Sequence, residues 1–283
     1  MEPGASLPGL FTQTIAVLDS GNEQALDKIL TANPALAGMR LDEPTDGYFS
    51  HPYLLWFIAD NPIRRGKLPP NIVALAAILL RHIRLHAAQT LPAQLDYALG
   101  LVATGRIPKE CGVQPALIDW LIDNGATPGN GIGALAHGNP EAARQLITRG
   151  GKWTLPAAAG LGEMQEAARL FPSADKKQRE LALVVAAFVG RADGLTWLLA
   201  KDIDPNVYPE NDSGFHSHAT ALHQAVWSGS PEAVRLLLAA GADRTLKDRI
   251  YQGTALDWAE YGLKEETDPE RKANLEMIAQ VLK

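Results

Sequence analysis

The sequence is short of several things, and each shortage removes a class of function. Cysteine occurs once, at Cys111. A single thiol makes no intrachain disulfide and no cysteine-based zinc cluster, which fits a reducing compartment. The opening "MEPGASLPGLFTQTIAVLDSG" has no basic segment leading into a long apolar run, and no later stretch reaches the roughly 18 uncharged apolar residues of a membrane span. We expect a soluble, unexported protein with no membrane partner and the cytoplasm as default location. Positive charge is also scarce: 26 Lys and Arg against 32 Asp and Glu give a net charge of −6. Nucleic acid is not an expected partner, because backbone binding needs a basic field to displace counterions from phosphates.

What remains is a chain of 283 residues, 46% hydrophobic and 20% charged, which suffices for a large core. Its charge is unevenly placed. No acid lies between Asp60 and Asp96, where Arg64, Arg65, Lys67, Arg81 and Arg84 fall, whereas the tail carries Glu265, Glu266, Asp268, Glu270 and Glu276. A solvated helical face explains the basic stretch; a patch for an acidic partner is the alternative.

Internal repetition is the informative feature. "TALHQAVWSGSPEAVRLLLAAGAD" (220–243) and "TALDWAEYG" (254–262) share Thr, Ala, Leu and Ala in step, and "GNPEAARQLITRGG" (138–151) shares Gly, Pro, Glu, Ala and Arg with "GSPEAVRLLLAAGA" (229–242). Each unit is punctuated as a helix pair. Thr220 can accept an orphan N–H as N-cap, and Leu222, Ala225 and Val226 follow as one apolar stripe. Gly229 ends that helix; Ser230, Pro231 and Glu232 open the next with a capping hydroxyl, a proline where no N–H is needed, and an acid at the positive end of the dipole. Val234, Leu237 and Leu238 supply the second stripe, and Gly241 the positive φ that stops it. A pair this short cannot bury both stripes alone, so it must stack on copies of itself.

These residues resemble an ankyrin repeat. "TALHQA" is similar to the family's Thr-Pro-Leu-His-x-Ala opening with Ala221 in place of proline, and "AVRLLLAAGAD" to its second helix and turn. The resemblance is clearest over 181–203, 217–243 and 251–283, and fades toward "ALIDWLIDNGATP" (116–128) and "DSGNEQALDKILTANP" (19–34). It implies an all-α solenoid of seven or eight stacked helix pairs, expected to run as one domain over residues 1–283, degenerate in its N-terminal half and similar to ankyrin proteins of the bacterial type.

Three histidines within "HSHATALHQAV" (216–226) raise the question of a metal. His223 falls on the family's histidine position, where the resemblance implies a hydrogen-bonding partner for the capping threonine and the neighbouring turn. His216 and His218 remain, with Asp212 nearby, and a zinc site needs three or four protein ligands. No metal or cofactor is expected. "DGYFSH" (46–51) aligns with "SGFHSH" (213–218), each preceding a first helix, so Ser-His is read as packing each loop onto its helix start. "GNGIG" (129–133) lacks the preceding strand of a phosphate loop and is read as turn glycines. Cys111 has no general base in view, and no catalytic residue is proposed.

The expectation is therefore a non-enzymatic, monomeric module that binds a protein partner through a concave groove and loop fingers at 42–52 and 204–217. In ankyrin proteins the position two residues after the core alanine of the first helix resembles a partner-contacting one. Counting from Ala186, Ala225 and Ala259 gives Phe188, Trp227 and Tyr261. Tyr208, Phe215 and His216 of one finger and Tyr48 and Phe49 of the other complete the candidate surface. Two alternatives belong to other classes: a metal-dependent hydrolase built on the His216/His218 loop, and a structural subunit of a fixed complex.

Overall fold

A computed structural model describes residues 7–41, 47–210 and 214–283. Parts of both expected fingers, 42–46 and 211–213, lie outside the described residues, and Asp212 with them. The fold is all-α. Among the described residues no strand forms, and two isolated bridges, Arg40 with Tyr53 and Lys247 with Thr254, each close a loop. The chain makes two compact units, Met1–Gly129 with Gln145–Gly151, and Asn130–Arg144 with Lys152–Lys283.

In the second unit the helix pairs follow the punctuation of the sequence: Leu155–Leu161 with Met164–Leu170, Lys176–Val189 with Ala192–Leu199, Ala221–Ser228 with Pro231–Ala239, and Ala255–Glu265 with Pro269–Leu282. First helices pack on first helices, and the second helices Ala192–Leu199, Pro231–Ala239 and Pro269–Leu282 pack in turn, which makes the ankyrin-type stack. Leu222, Ala225, Val226, Val234 and Leu237 are buried as expected, all at 2% exposure or less. Leu238 departs from the expectation: it is only half-buried, and Ala233 takes the inward place instead. The 3.6-residue period sets this, since 233, 234 and 237 share a stripe whose edge Leu238 only grazes.

Two glycines show why the chain can turn and pack so closely. Gly229 takes φ +71° where the Ala221–Ser228 helix ends. At Gly160 a Cβ would come within 2.6 Å of Val185 Cγ1, so the Leu155–Leu161 helix could not approach its neighbour with any larger residue.

The first unit begins with the expected helix turn. Leu7–Ser20 and Glu23–Ala32 meet at Gly21, and Asn22 caps the second by accepting the Ala25 N–H at 3.0 Å. Ile72–His86, Leu91–Thr104 and Gln114–Asp123 follow. The segment after His51 is a correction: it forms a 3₁₀ helix, Leu54–Ala59, with all six residues buried. His51 itself is exposed with φ +48°, whereas His218 is half-buried. The two Ser-His loops thus do not share one local design. A six-residue run apolar on every side cannot present a polar face, so it is swallowed whole by its unit.

Candidate binding groove

The first helices of three successive repeats, Lys176–Val189, Ala221–Ser228 and Ala255–Glu265, sink Ala186, Ala225 and Ala259 to 0% exposure. Two residues on is about 200° around a helix, so the next ring of side chains points away from the core. Trp227 is 49% and Tyr261 67% exposed, and Phe188 is half-buried. Trp227 and Tyr261 line a cavity of about 920 Å³, and Phe188 and Trp227 line a neighbouring one of about 540 Å³. The cavities share His216, Trp227 and Arg271 and therefore make a continuous groove within the second unit.

The loop before Thr220 forms one wall. Phe215 is buried, with Phe188 edge-on to it at 5.0 Å, so it supports that ring rather than presenting a face. His216 packs edge-on against Trp227 at 4.8 Å and Trp258 at 5.5 Å, and His218 lies 5.7 Å from Tyr251 and 5.8 Å from Trp258. The backbone holds both: Gln224 Nε2 donates to the His216 carbonyl, and the Arg249 N–H to that of His218, each at 2.8 Å. Among the described residues the Nε2 atoms of both rings are buried and unpartnered. Burial, and then the neighbouring His218, push the His216 pKa below its ordinary value, so this ring brings no charge at neutral pH.

His223 is bound into the scaffold as the resemblance implied. Its Nδ1 accepts the Thr220 N–H at 3.3 Å and stands 2.8 Å from the Thr220 hydroxyl, while Nε2 faces the Gly253 carbonyl at 3.1 Å. An Nδ1 that accepts a backbone N–H leaves the proton on Nε2, which donates to Gly253 and ties this repeat to the next. Burial lowers its pKa, and the Gly253 bond only partly offsets that. In the following repeat Asp257 plays the same capping part for Thr254, accepting both its N–H and its hydroxyl at 2.7 Å.

The far wall is anchored by Asp248. Its fully buried carboxylate accepts the N–H groups of Ile250 (2.9 Å), Tyr251 (2.6 Å) and Gly253 (3.0 Å) and the Trp258 indole N–H at 3.0 Å. Burial would raise its pKa, but those donors outweigh it and hold the group ionised. Trp258 is thereby fixed against the histidines. Arg271 closes the rim: Nε pairs with Glu266 at 2.8 Å, and Nη2 donates to the Trp227 carbonyl.

The structure gathers Phe188, Trp227, Tyr261 and His216 in one groove, with Phe215 beneath. It leaves Tyr208 outside both cavities, its hydroxyl donating to the Lys247 carbonyl at 2.9 Å and its ring under the Arg249 guanidinium. Tyr48 and Phe49 belong to the first unit. Tyr48 is 61% exposed with its hydroxyl 2.8 Å from Asn61 Oδ1, and Phe49 packs on Trp56 and Phe57. The sequence reading missed Trp258, Tyr251 and Arg271. Trp258 sits 34 residues after Gln224, which is buried beneath His216, and that register was the available signal.

The other chemistry-bearing candidates resolve structurally. Among the described residues no group of three or more His, Cys, Asp or Glu could hold a metal ion, so the hydrolase reading finds no support. Cys111 Sγ accepts the Leu68 N–H at 3.4 Å. Gly129 and Gly131 both take positive φ in a turn. In the basic stretch Arg64 pairs with Asp19 and Asp60, Arg81 with Asp27, and Arg84 with Asn124. Among the described residues no single helix is long and apolar enough to cross a membrane.

Residues 114–248 match the family described as ankyrin repeats (3 copies). Over that segment, just under half of its length, the chain is similar to ankyrin repeats. The matched segment includes Phe188, Trp227 and the histidine loop but ends before Tyr251, Trp258 and Tyr261. Nothing in it points to a bacterial type. No curated protein matches the chain. A solved structure that does is titled as the crystal structure of the human ASB11 ankyrin repeat domain, with 18% identity over 70% of this chain and 92% of that one. The TM-score is 0.34.

Proposed function

We propose that the chain is a recognition module that holds a segment of a protein partner in the groove of its second unit. One observation carries this reading: three successive repeats present Phe188, Trp227 and Tyr261 at the same helix position, along two cavities that join at Trp227. Leaving such rings in water has no structural return, and large aromatics are enriched among the residues that dominate protein interfaces. Phe215, Gln224 and Asp248 hold the walls in place, so little ordering is required on binding.

The test is affinity capture from the source cell with the wild type and with Trp227→Ala/Tyr261→Ala, followed by mass spectrometry. A protein retained by the wild type and lost by the variant, whose helical circular dichroism and Tm are unchanged, is the expected result. Retention of the same proteins by both would place the interface elsewhere.

A further inference from the structure

We propose that the larger cavity receives the cationic side chain, lysine or arginine, of an extended segment of the partner. The inference rests on the recognition reading above and names the chemistry of what is recognised. Trp227, Trp258, Tyr251 and Tyr261 all line this cavity, and aromatic faces attract a cation through the negative potential of their π-systems. Its charge has the complementary sign. Counting the histidines as neutral, the lining holds three carboxylates, Asp257, Glu265 and Glu266, against the single guanidinium of Arg271, a net of −2.

These charges differ in what they have left to offer. Arg271 is spent on Glu266 and on the Trp227 carbonyl, and Asp257 on the cap of Thr254. Glu265 is exposed at the rim, and among the described residues its carboxylate has no ion-pair or hydrogen-bond partner. It is the carboxylate free to meet an incoming ammonium or guanidinium, while the methylene stem lies along the rings. A side chain that is apolar along its length and positive at its tip fits this wall. An acidic side chain would meet Glu265 with nothing but an already paired Arg271 to offset it. The smaller cavity, joined at Trp227, gives the flanking backbone somewhere to run.

The test uses the full chain and three blocked pentapeptides with a glycine pair on each side of lysine, norleucine or glutamate. Each is titrated to tens of millimolar at matched ionic strength, with the indole N–H resonances of Trp227 and Trp258 followed by NMR. The lysine peptide should shift both resonances saturably, norleucine should bind at least several-fold more weakly, and glutamate should leave them unmoved. Glu265→Gln should weaken the lysine peptide about two- to fivefold, the scale of one exposed ion pair. No saturable shift with lysine, equal binding of norleucine, or binding of glutamate would each overturn the proposal. So would a concentration-dependent dimer in light scattering that Trp227→Ala dissolves, since the occupant would then be a second copy. If Trp227→Ala/Tyr261→Ala abolishes partner capture while the lysine peptide fails to bind, the cation inference alone falls. If the peptide binds but capture is untouched by the variant, the recognition reading falls.

Discussion

The two units use aromatic residues in opposite ways. In the first, Phe11, Trp56 and Phe57 are at 6% exposure or less and pack on one another and on Phe49, Tyr53 and Tyr97, with Trp56 stacked on Tyr97 at a centroid distance of 4.0 Å. In the second, the core is built from Ala, Val and Leu, and Trp227, Tyr251 and Tyr261 stand 49–76% exposed. The difference follows from how each unit makes its repeat contacts. Where capping boxes and small residues set a regular stack, Phe215 is buried beneath the groove, and Trp227, Tyr251 and Tyr261 are placed on the surface. In the first unit, around the 3₁₀ helix Leu54–Ala59, aromatic volume fills the core. Apart from the exposed Tyr48 and the buried Phe215, aromatic residues mark the core in the first unit and a candidate interface in the second.

The strongest test of that contrast is truncation inside the first unit. Phe11→Ala removes a ring with no exposure that packs edge-on to Phe57, and should cost about 3–5 kcal/mol in urea denaturation. A loss below about 1 kcal/mol would mean the aromatic cluster is not what holds this unit. The matching truncation in the second unit is Leu237→Ala, expected to cost about 2–5 kcal/mol because the stacked helices cannot collapse on the cavity. His223→Ala comes next. It leaves the Gly253 carbonyl and the Thr220 N–H without their partner, and should cost about 1–3 kcal/mol.

A smaller effect should appear with pH. The folded-state pKa values of His216 and His223 lie below their ordinary 6.5, so between those values and 6.5 the unfolded chain binds more protons than the folded one. Stability is then fully present above pH 6.5 and declines as pH falls through that value. Denaturation midpoints taken in steps from pH 7.5 downward should show the fall, and His216→Gln should flatten part of it. A wild type whose midpoint is constant across that range would contradict the neutral, buried state of these rings. The smallest effect belongs to the displayed rings: Trp227→Ala and Tyr261→Ala should each change stability by less than about 0.5 kcal/mol.

Much of the second unit was legible in the sequence, because its local signals agree with one another. Thr220 and Thr254, Gly229 and Gly241, and the Ser230-Pro231-Glu232 start all mark boundaries that the structure keeps. Counting from the core alanines put Phe188, Trp227 and Tyr261 on the outward side, since helical periodicity fixes direction once one buried residue is known. The groove's depth was not legible. It depends on a loop carboxylate, Asp248, drawing Trp258 into place and on Arg271 crossing from the last helix to Trp227, and no local sequence pattern announces either contact. Leu54–Ala59 gave no period at all, so nothing distinguished a 3₁₀ turn from the start of a helix. The likeness of "DGYFSH" to "SGFHSH" misled for a related reason: four shared residue types do not fix φ, and His51 took the left-handed region.

The central claim is that the second unit's exposed aromatics form a surface for a protein partner and contribute nothing essential to its fold. It is tested most directly by partner capture with wild type and Trp227→Ala/Tyr261→Ala at equal concentrations of folded protein. Loss of at least about tenfold in the captured partner, with Tm unchanged, is expected from the energies such rings carry in interfaces. Equal capture by both proteins would contradict the account.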